Sequence, residues 1–137
     1  MPLADGFMMS PEVTVLGWAA VLAFVQLLLY AVPGNLQLGA RYTLGPRDQT
    51  QSMSGVGGRF QRAFNNHIEG LVLFAVAVAV IEWGQANSQA TATAAWIYLG
   101  ARVVYIPAYA SGIPGLRSVI WAVGAGATFF MLMTALL

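Results

Sequence analysis

The sequence predicts an all-α membrane protein, a bundle of four transmembrane helices. Of its 137 residues, 58% are hydrophobic and only 8% are charged. Soluble domains average about 25% charged residues, so most of this surface is expected to face lipid. A spanning helix needs about 20 mostly apolar residues. Four stretches qualify, at about 11–32, 59–83, 90–109 and 116–137, and together they predict a single domain over 1–137.

The first stretch carries clear signals at both ends. Ser10 can cap its start, Pro11 suits the first helical position, and Glu12 suits the positive end of the helix dipole. The Pro-Gly pair at 33–34 predicts that the helix ends just before it. The polar, glycine-rich stretch at about 35–58 is longer than a simple turn, so a long loop is expected there.

The placement of the arginines predicts the orientation in the membrane. All six basic residues are arginines, and they lie in or beside the first and third loops: Arg41, Arg47, Arg59, Arg62, Arg102 and Arg117. By the positive-inside rule, these loops are predicted to be cytoplasmic and both termini to lie on the other side of the membrane.

Composition also excludes several classes of function. The absence of cysteine excludes disulfides, thiolate metal sites and a cysteine nucleophile. His67 is the only histidine, too few ligands for a metal site, and is expected to be an interface or loop contact. The basic residues form no tract, so nucleic acid is not an expected partner.

A polar stripe runs along the second predicted helix. One face of this helix carries Arg59 and, three, seven and ten residues after it, Arg62, Asn66 and Glu69. Glu69 lies about 15 Å along the helix from Arg59, deep enough to need a partner. Either an ion pair between Arg62 and Glu69 holds helices together, or the stripe binds a ligand with carboxylate and amine groups.

A second stripe follows on the third predicted helix. Tyr98, Arg102, Tyr105 and Tyr109 are spaced by four, three and four residues. An interfacial aromatic belt with a snorkelling arginine would give the same pattern. Because both stripes lie at the cytoplasmic end, a shared cavity is the preferred interpretation.

At this point the residues resemble a known family. The segment 62–69 matches the R-x-x-x-N-x-x-E signature of the MAPEG superfamily, the membrane-associated proteins of eicosanoid and glutathione metabolism. Segment 101–109 resembles the arginine and tyrosine pattern of the family's third helix. Segment 112–118 resembles the turn into the fourth helix of bacterial members, so the resemblance covers nearly the whole chain. It implies a homotrimer that binds glutathione between subunits and either conjugates it to lipophilic electrophiles, reduces lipid hydroperoxides or isomerises lipid endoperoxides.

The resemblance also implies roles for individual residues. Glutathione would be held by a set of polar side chains: Arg62, Asn66, Glu69, Tyr105, Arg41 and Arg102. Arg117 would stabilise the thiolate, and Tyr109 or Tyr105 would donate a hydrogen bond to the sulfur. Gly70 replaces a tyrosine of the leukotriene-synthase branch, so general detoxification as a microsomal-type glutathione transferase is favoured over eicosanoid synthesis.

Two other functions remain open at this stage. The chain could be a MAPEG-like protein that binds a lipid or another thiol without this catalysis. It could also be a small multidrug transporter, a class with four short spans and one buried carboxylate. The key glutamate of that class lies in the first helix, whereas Glu69 lies in the second beside arginines.

Overall fold

A computed structural model describes residues 8–39, 41, 44–45 and 54–137. The described residues form four α-helices: α1 (Pro11–Leu38), α2 (Gly55–Trp83), α3 (Gln89–Ser111) and α4 (Leu116–Leu136). The predicted all-α class is confirmed. Arg47 and 11 of the 24 residues of the predicted loop at 35–58 lie outside the described residues, and the two ends of that stretch, 35–38 and 55–58, belong to α1 and α2.

The first helix begins as predicted but ends later. The Ser10 side chain accepts a hydrogen bond from the Val13 amide at 3.2 Å, which confirms the cap. The predicted end before the Pro-Gly pair at 33–34 is wrong, because the helix continues to Leu38. Proline's fixed φ is compatible with a helix, although it removes one backbone hydrogen bond. The helix stops at Gly39, where φ is 84°, a conformation that glycine adopts at little cost.

Three of the helices, all but α3, are long and apolar enough to cross a membrane. This finding supports the predicted integral membrane protein. The 23-residue α3 would extend about 35 Å at 1.5 Å per residue, but polar residues such as Thr91 and Arg102 lower its hydropathy. A fourth crossing by α3 stays a prediction.

The two central helices organise the bundle. Each of α2 and α3 packs against all the others, whereas α1 and α4 do not meet within the described ranges. At the centre, the rings of Phe74 and Tyr98 stack with centroids 4.0 Å apart. Gly124 of α4 packs close to α3, where a Cβ at this position would lie in ordinary van der Waals contact with the Cβ of Ala101, at 3.7 Å. The α2, α3 and α4 faces that carry the polar residues are therefore held in fixed register.

A polar network joins three helix ends at the end of the bundle where α2 finishes. Glu12, which is 0% exposed, accepts hydrogen bonds from Thr91 Oγ1 at 2.6 Å and Asn87 Nδ2 at 3.0 Å. Asn87 Nδ2 also donates to Glu82 Oε1 at 2.9 Å, and Ser10 donates to the same carboxylate. The network fastens the start of α1 to the end of α2 and the start of α3.

We expect Glu12→Ala to lower the free energy of unfolding by about 1–3 kcal/mol, because the buried hydroxyl of Thr91 would lose its carboxylate acceptor and the exposed amide of Asn87 would lose one of its two. The measurement is the unfolding midpoint of the purified protein in detergent. Glu12→Gln is the matched control, because the glutamine carbonyl oxygen can still accept a hydrogen bond from Thr91. This variant should lose less unfolding free energy than Glu12→Ala. Equal stability of Glu12→Ala and wild type would contradict a structural role for this network.

Candidate functional site

A polar cleft lies between α2, α3 and α4, at the end of the bundle where α2 begins. Its volume is about 340 Å³. It is lined by residues from all three helices: Arg62, Asn65, Asn66, Glu69, Tyr105, Tyr109 and Arg117. Six of these were predicted as site residues from the sequence, and the fold brings them to one place.

Helix α2 contributes most of the residues that line the polar cleft. Arg62, Asn66 and Glu69 recur at spacings of four and three residues, so their side chains leave the same face of the helix. Arg62 and Glu69 form no ion pair in the structure. They are separated by about 10 Å along the helix axis. Both charges are therefore open to a ligand, and the ion-pair interpretation of this stripe is wrong.

The ring of Tyr109 contacts two guanidinium groups. The Cζ atoms of Arg117 and Arg62 lie 4.9 and 5.9 Å from its centroid. These are cation–π distances, which hold both arginines at the rim of the cleft. Tyr105 packs against Tyr109 with a centroid separation of 5.6 Å. The turn before α4 aims Arg117 here, with Gly115 in a conformation of φ 83° that favours glycine.

The charge of the polar cleft selects a class of ligand. Its lining holds two guanidinium groups and one carboxylate, so one positive charge is in excess. Guanidinium groups bind carboxylates through charge-assisted, often bidentate, hydrogen bonds. Glu69 can accept from an ammonium group, and Asn65 and Asn66 offer amides. The arrangement suits a small zwitterion with more carboxylates than amines.

Two predicted site residues lie outside the polar cleft. Arg41 is exposed and has helical backbone conformation, and it does not line the cleft. Arg102 is buried, and its Nη1 donates to Asn66 Oδ1 at 2.7 Å. Arg102 precedes Tyr109 by seven residues, which places it about 10 Å deeper along α3. In this chain Arg102 positions the Asn66 side chain through this hydrogen bond and does not line the cleft itself.

Arg102 instead lines a second, apolar cavity of about 500 Å³. The lining comes from α2, α3 and α4: Asn66, Glu69, Gly70, Leu73, Tyr98, Arg102, Trp121, Ala125, Thr128, Phe129 and Leu132. Asn66 and Glu69 line both spaces. The single shared cavity expected from the two stripes is therefore two adjoining spaces, one polar and one mostly apolar.

Asn65 of the polar cleft and Trp121 of the apolar cavity are lining residues that lie on neither polar stripe. Asn65 follows Arg62 by three residues and so lies on a neighbouring face, a spacing that could have found it. No local sequence signal distinguishes Trp121 from a lipid-facing or packing tryptophan. It lines the apolar cavity because α4 turns this face toward α2 and α3.

Arg59 belongs to the α2 stripe but has a structural role. Its Nη1 donates to the carbonyl oxygen of Ala110 at 2.9 Å, near the end of α3. A Cβ on Gly112 would lie 3.0 Å from its Cζ, so glycine keeps this space open. The contact fixes the end of α3, and with it Tyr109, against α2.

His67 is a helix–helix contact. Its Nε2 lies 2.9 Å from the carbonyl oxygen of Ala19, and the side chain is buried between α2 and α1. The interface role expected from the sequence is confirmed, and His67 does not line the polar cleft.

Comparison with known proteins gives one family match. The model of the MAPEG family matches residues 15–137, which include every residue that lines the polar cleft. No curated protein and no solved structure matches the chain.

Proposed function

The chain belongs to the MAPEG family, and from this premise we propose that it is a membrane-bound, glutathione-dependent transferase or peroxidase. Its substrates are lipophilic electrophiles or lipid hydroperoxides. The observation that carries the proposal is the polar cleft, where Arg62, Arg117 and Glu69 face a common space. MAPEG membership argues against the multidrug-transporter alternative.

The polar cleft complements glutathione group by group. Glutathione carries two carboxylates, one ammonium group and one thiol, so its net charge is opposite to that of the cleft. Arg62 binds a carboxylate, Glu69 accepts from the ammonium group, and Asn66 bonds to the peptide backbone. Arg102 acts on glutathione only through Asn66, to which it donates a hydrogen bond.

Arg117 activates the sulfur. A free thiol has a pKa of about 8.5, and an adjacent cation lowers it by favouring the thiolate. The O–H of Tyr109 or Tyr105 donates to the sulfur, and the protein itself forms no covalent bond. Catalysis comes from holding the thiolate beside the electrophile and from stabilising charge.

Two reactions follow from a bound thiolate. With an electrophile, sulfur forms a bond to carbon while the leaving group departs with the bonding pair. With a hydroperoxide, sulfur attacks the terminal oxygen, the O–O bond breaks, and the lipid leaves as an alcohol after taking up a proton. The resulting sulfenic acid then reacts with a second glutathione to give the disulfide and water.

The proposed assembly is a homotrimer in which all four helices cross the bilayer. Arg62, Glu69 and Arg117 are exposed in the isolated chain, so the polar cleft has an open side that a neighbouring subunit can close. Arg41, which does not reach the cleft of its own chain, would contact glutathione held by that neighbour. The arginine-rich loops would be cytoplasmic and both termini on the opposite side, in a bacterial inner membrane.

Isothermal titration of the purified protein with reduced glutathione tests the proposal. We expect saturable binding, weakened about tenfold by Glu69→Gln, which removes the charge that meets the ammonium group. Glu82→Gln is the matched control, because this glutamate lies on the same helix but in the polar network at the other end. Absence of binding by the wild-type protein would overturn the proposed function.

A further inference from the structure

A buried polar layer lies between α1, α2 and α3. Among the described residues, five buried side-chain atoms have no hydrogen-bond partner: Nε2 and Oε1 of Gln26, Nδ1 of His67, the hydroxyl of Tyr98 and Nε of Arg102. The four residues that carry them are 1–3% exposed. A buried polar atom without a partner is costly, so native proteins contain few of them. Their concentration in one layer indicates a common partner.

His67 presents one nitrogen to the buried polar layer. Its Nε2 lies 2.9 Å from the carbonyl oxygen of Ala19. Because a carbonyl oxygen can only accept, Nε2 carries the proton, and Nδ1 of the neutral ring is left as an acceptor. His67 therefore needs a donor on the side of its ring away from Ala19.

Helix α3 places polar atoms near this acceptor. Phe74 follows His67 by seven residues on the same face of α2, and its ring stacks on Tyr98. Arg102 lies one turn further along α3, beside Gly70 and close enough to His67 and Tyr98 for electrostatic interaction. Nε of Arg102 can only donate, whereas the Tyr98 hydroxyl can donate or accept. Both atoms lack exposed surface, so they do not open into the apolar cavity.

Helix α1 contributes Gln26 to the same layer. On this helix Ala19 contacts His67, and the ring centroid of Tyr30 lies 5.1 Å from that of Phe64. Gln26 lies between Ala19 and Tyr30 in the sequence, so it faces the segment of α2 between their two partners. Its amide offers both a donor and an acceptor, and neither has a partner.

The charge of the layer and its mixture of donors and acceptors select the occupant. Arg102 would repel a metal cation or an ammonium group. An anion would pair with Arg102 but could not satisfy the acceptors of His67 and Gln26. A water molecule both donates and accepts, and a buried water typically makes about three hydrogen bonds to groups that are otherwise unsatisfied. Water is therefore the occupant that fits.

We propose that the buried polar layer holds an internal water molecule that couples α1 to the polar cleft. The water accepts from Nε of Arg102 and donates to Nδ1 of His67, and Gln26 and Tyr98 complete its hydrogen bonds. Arg102 in turn donates from Nη1 to Oδ1 of Asn66 at 2.7 Å. His67 is thus a positioning residue for Asn66, and this second step rests on the proposed function.

The single histidine makes the water site directly observable. The test is heteronuclear NMR of the full-length protein in detergent, isotope-labelled only at histidine and without glutathione. We expect a protonated Nε2, an unprotonated Nδ1 with the chemical shift of a hydrogen-bonded acceptor, and magnetisation transfer from bound water to the ring. Gln26→Leu, which removes one partner of the water, should move the Nδ1 shift toward that of a free acceptor.

Three results of this measurement would overturn the water site. The first is a protonated Nδ1, and the second is the chemical shift of a free acceptor in the wild type. The third is a hydrogen-bonded Nδ1 without transfer from water, which would indicate a direct donor from the protein.

Two variants of His67 test its positioning role. Asparagine places its amide near the Nδ1 position and loses the contact with Ala19, whereas glutamine reaches the Nε2 position and loses the acceptor for water. We expect His67→Gln to weaken glutathione binding about fivefold in calorimetric titration, and His67→Asn to bind within about twofold of the wild type. The reverse order, which a purely structural contact with Ala19 predicts, would overturn the positioning role. A wild-type protein that binds no glutathione would overturn the proposed function, while the NMR result would still decide the water site.

Discussion

Arg117→Ala is expected to lower the rate of glutathione conjugation at pH 7 by about 30-fold. Without the guanidinium group, the thiol returns toward its free pKa of about 8.5, and only about 3% of it is ionised at pH 7. The pH dependence of the activity follows from this change in thiol pKa. Below the free pKa the variant has little thiolate, so its activity should rise with pH up to about 8.5. The wild type should reach its plateau at lower pH.

The measurement is the pH dependence of conjugation with an aryl halide, together with the ultraviolet absorbance of bound thiolate. Arg117→Lys is the matched variant, because it keeps a cation but loses the planar group that stacks on Tyr109. It should retain part of the shift in thiol pKa. If Arg117→Ala has the same pH profile as wild type, another group ionises the sulfur.

Arg62→Ala is expected to raise the dissociation constant of glutathione about 10- to 100-fold. A hydrogen bond to a charged group contributes about 1.5–3 kcal/mol, and each 1.4 kcal/mol is a factor of ten in affinity. The loss should appear in binding more than in turnover, because the proposed Arg62–carboxylate contact would be the same before and during the reaction. Titration calorimetry and steady-state kinetics on the same preparation measure the two effects.

Gln61→Ala is a suitable control, since this neighbour of Arg62 does not line the polar cleft. Its affinity for glutathione should equal that of the wild type. An unchanged dissociation constant in Arg62→Ala would remove this arginine from the site. A lower turnover number with unchanged affinity would instead assign it to the transition state.

Helix periodicity explains why much of the polar cleft could be predicted. Spacing alone places Arg62, Asn66 and Glu69 on one face, whatever the helix packs against. The same rule places Tyr105 and Tyr109 together on α3. The assignment of Arg117 came from the resemblance, because no periodicity links it across a turn to either stripe.

Tertiary packing decided what the sequence could not. Arg102 shares the stripe of Tyr105, but whether it faces the polar cleft depends on Gly70 and Asn66 of another helix. Trp121 lines the apolar cavity because of how α4 packs against α2 and α3, which its own sequence does not specify. A Pro-Gly pair favours the end of a helix but does not require it, and α1 continues through the pair at 33–34 to Leu38.

The polar network around Glu12 also has a consequence for synthesis. Glu12 leaves the ribosome early, but its partners Asn87 and Thr91 follow it by 75 and 79 residues. Until the start of α3 has been made, this carboxylate must stay hydrated, which holds the beginning of α1 at the water interface. We therefore expect the start of α1 to become buried only after the start of α3 has been synthesised.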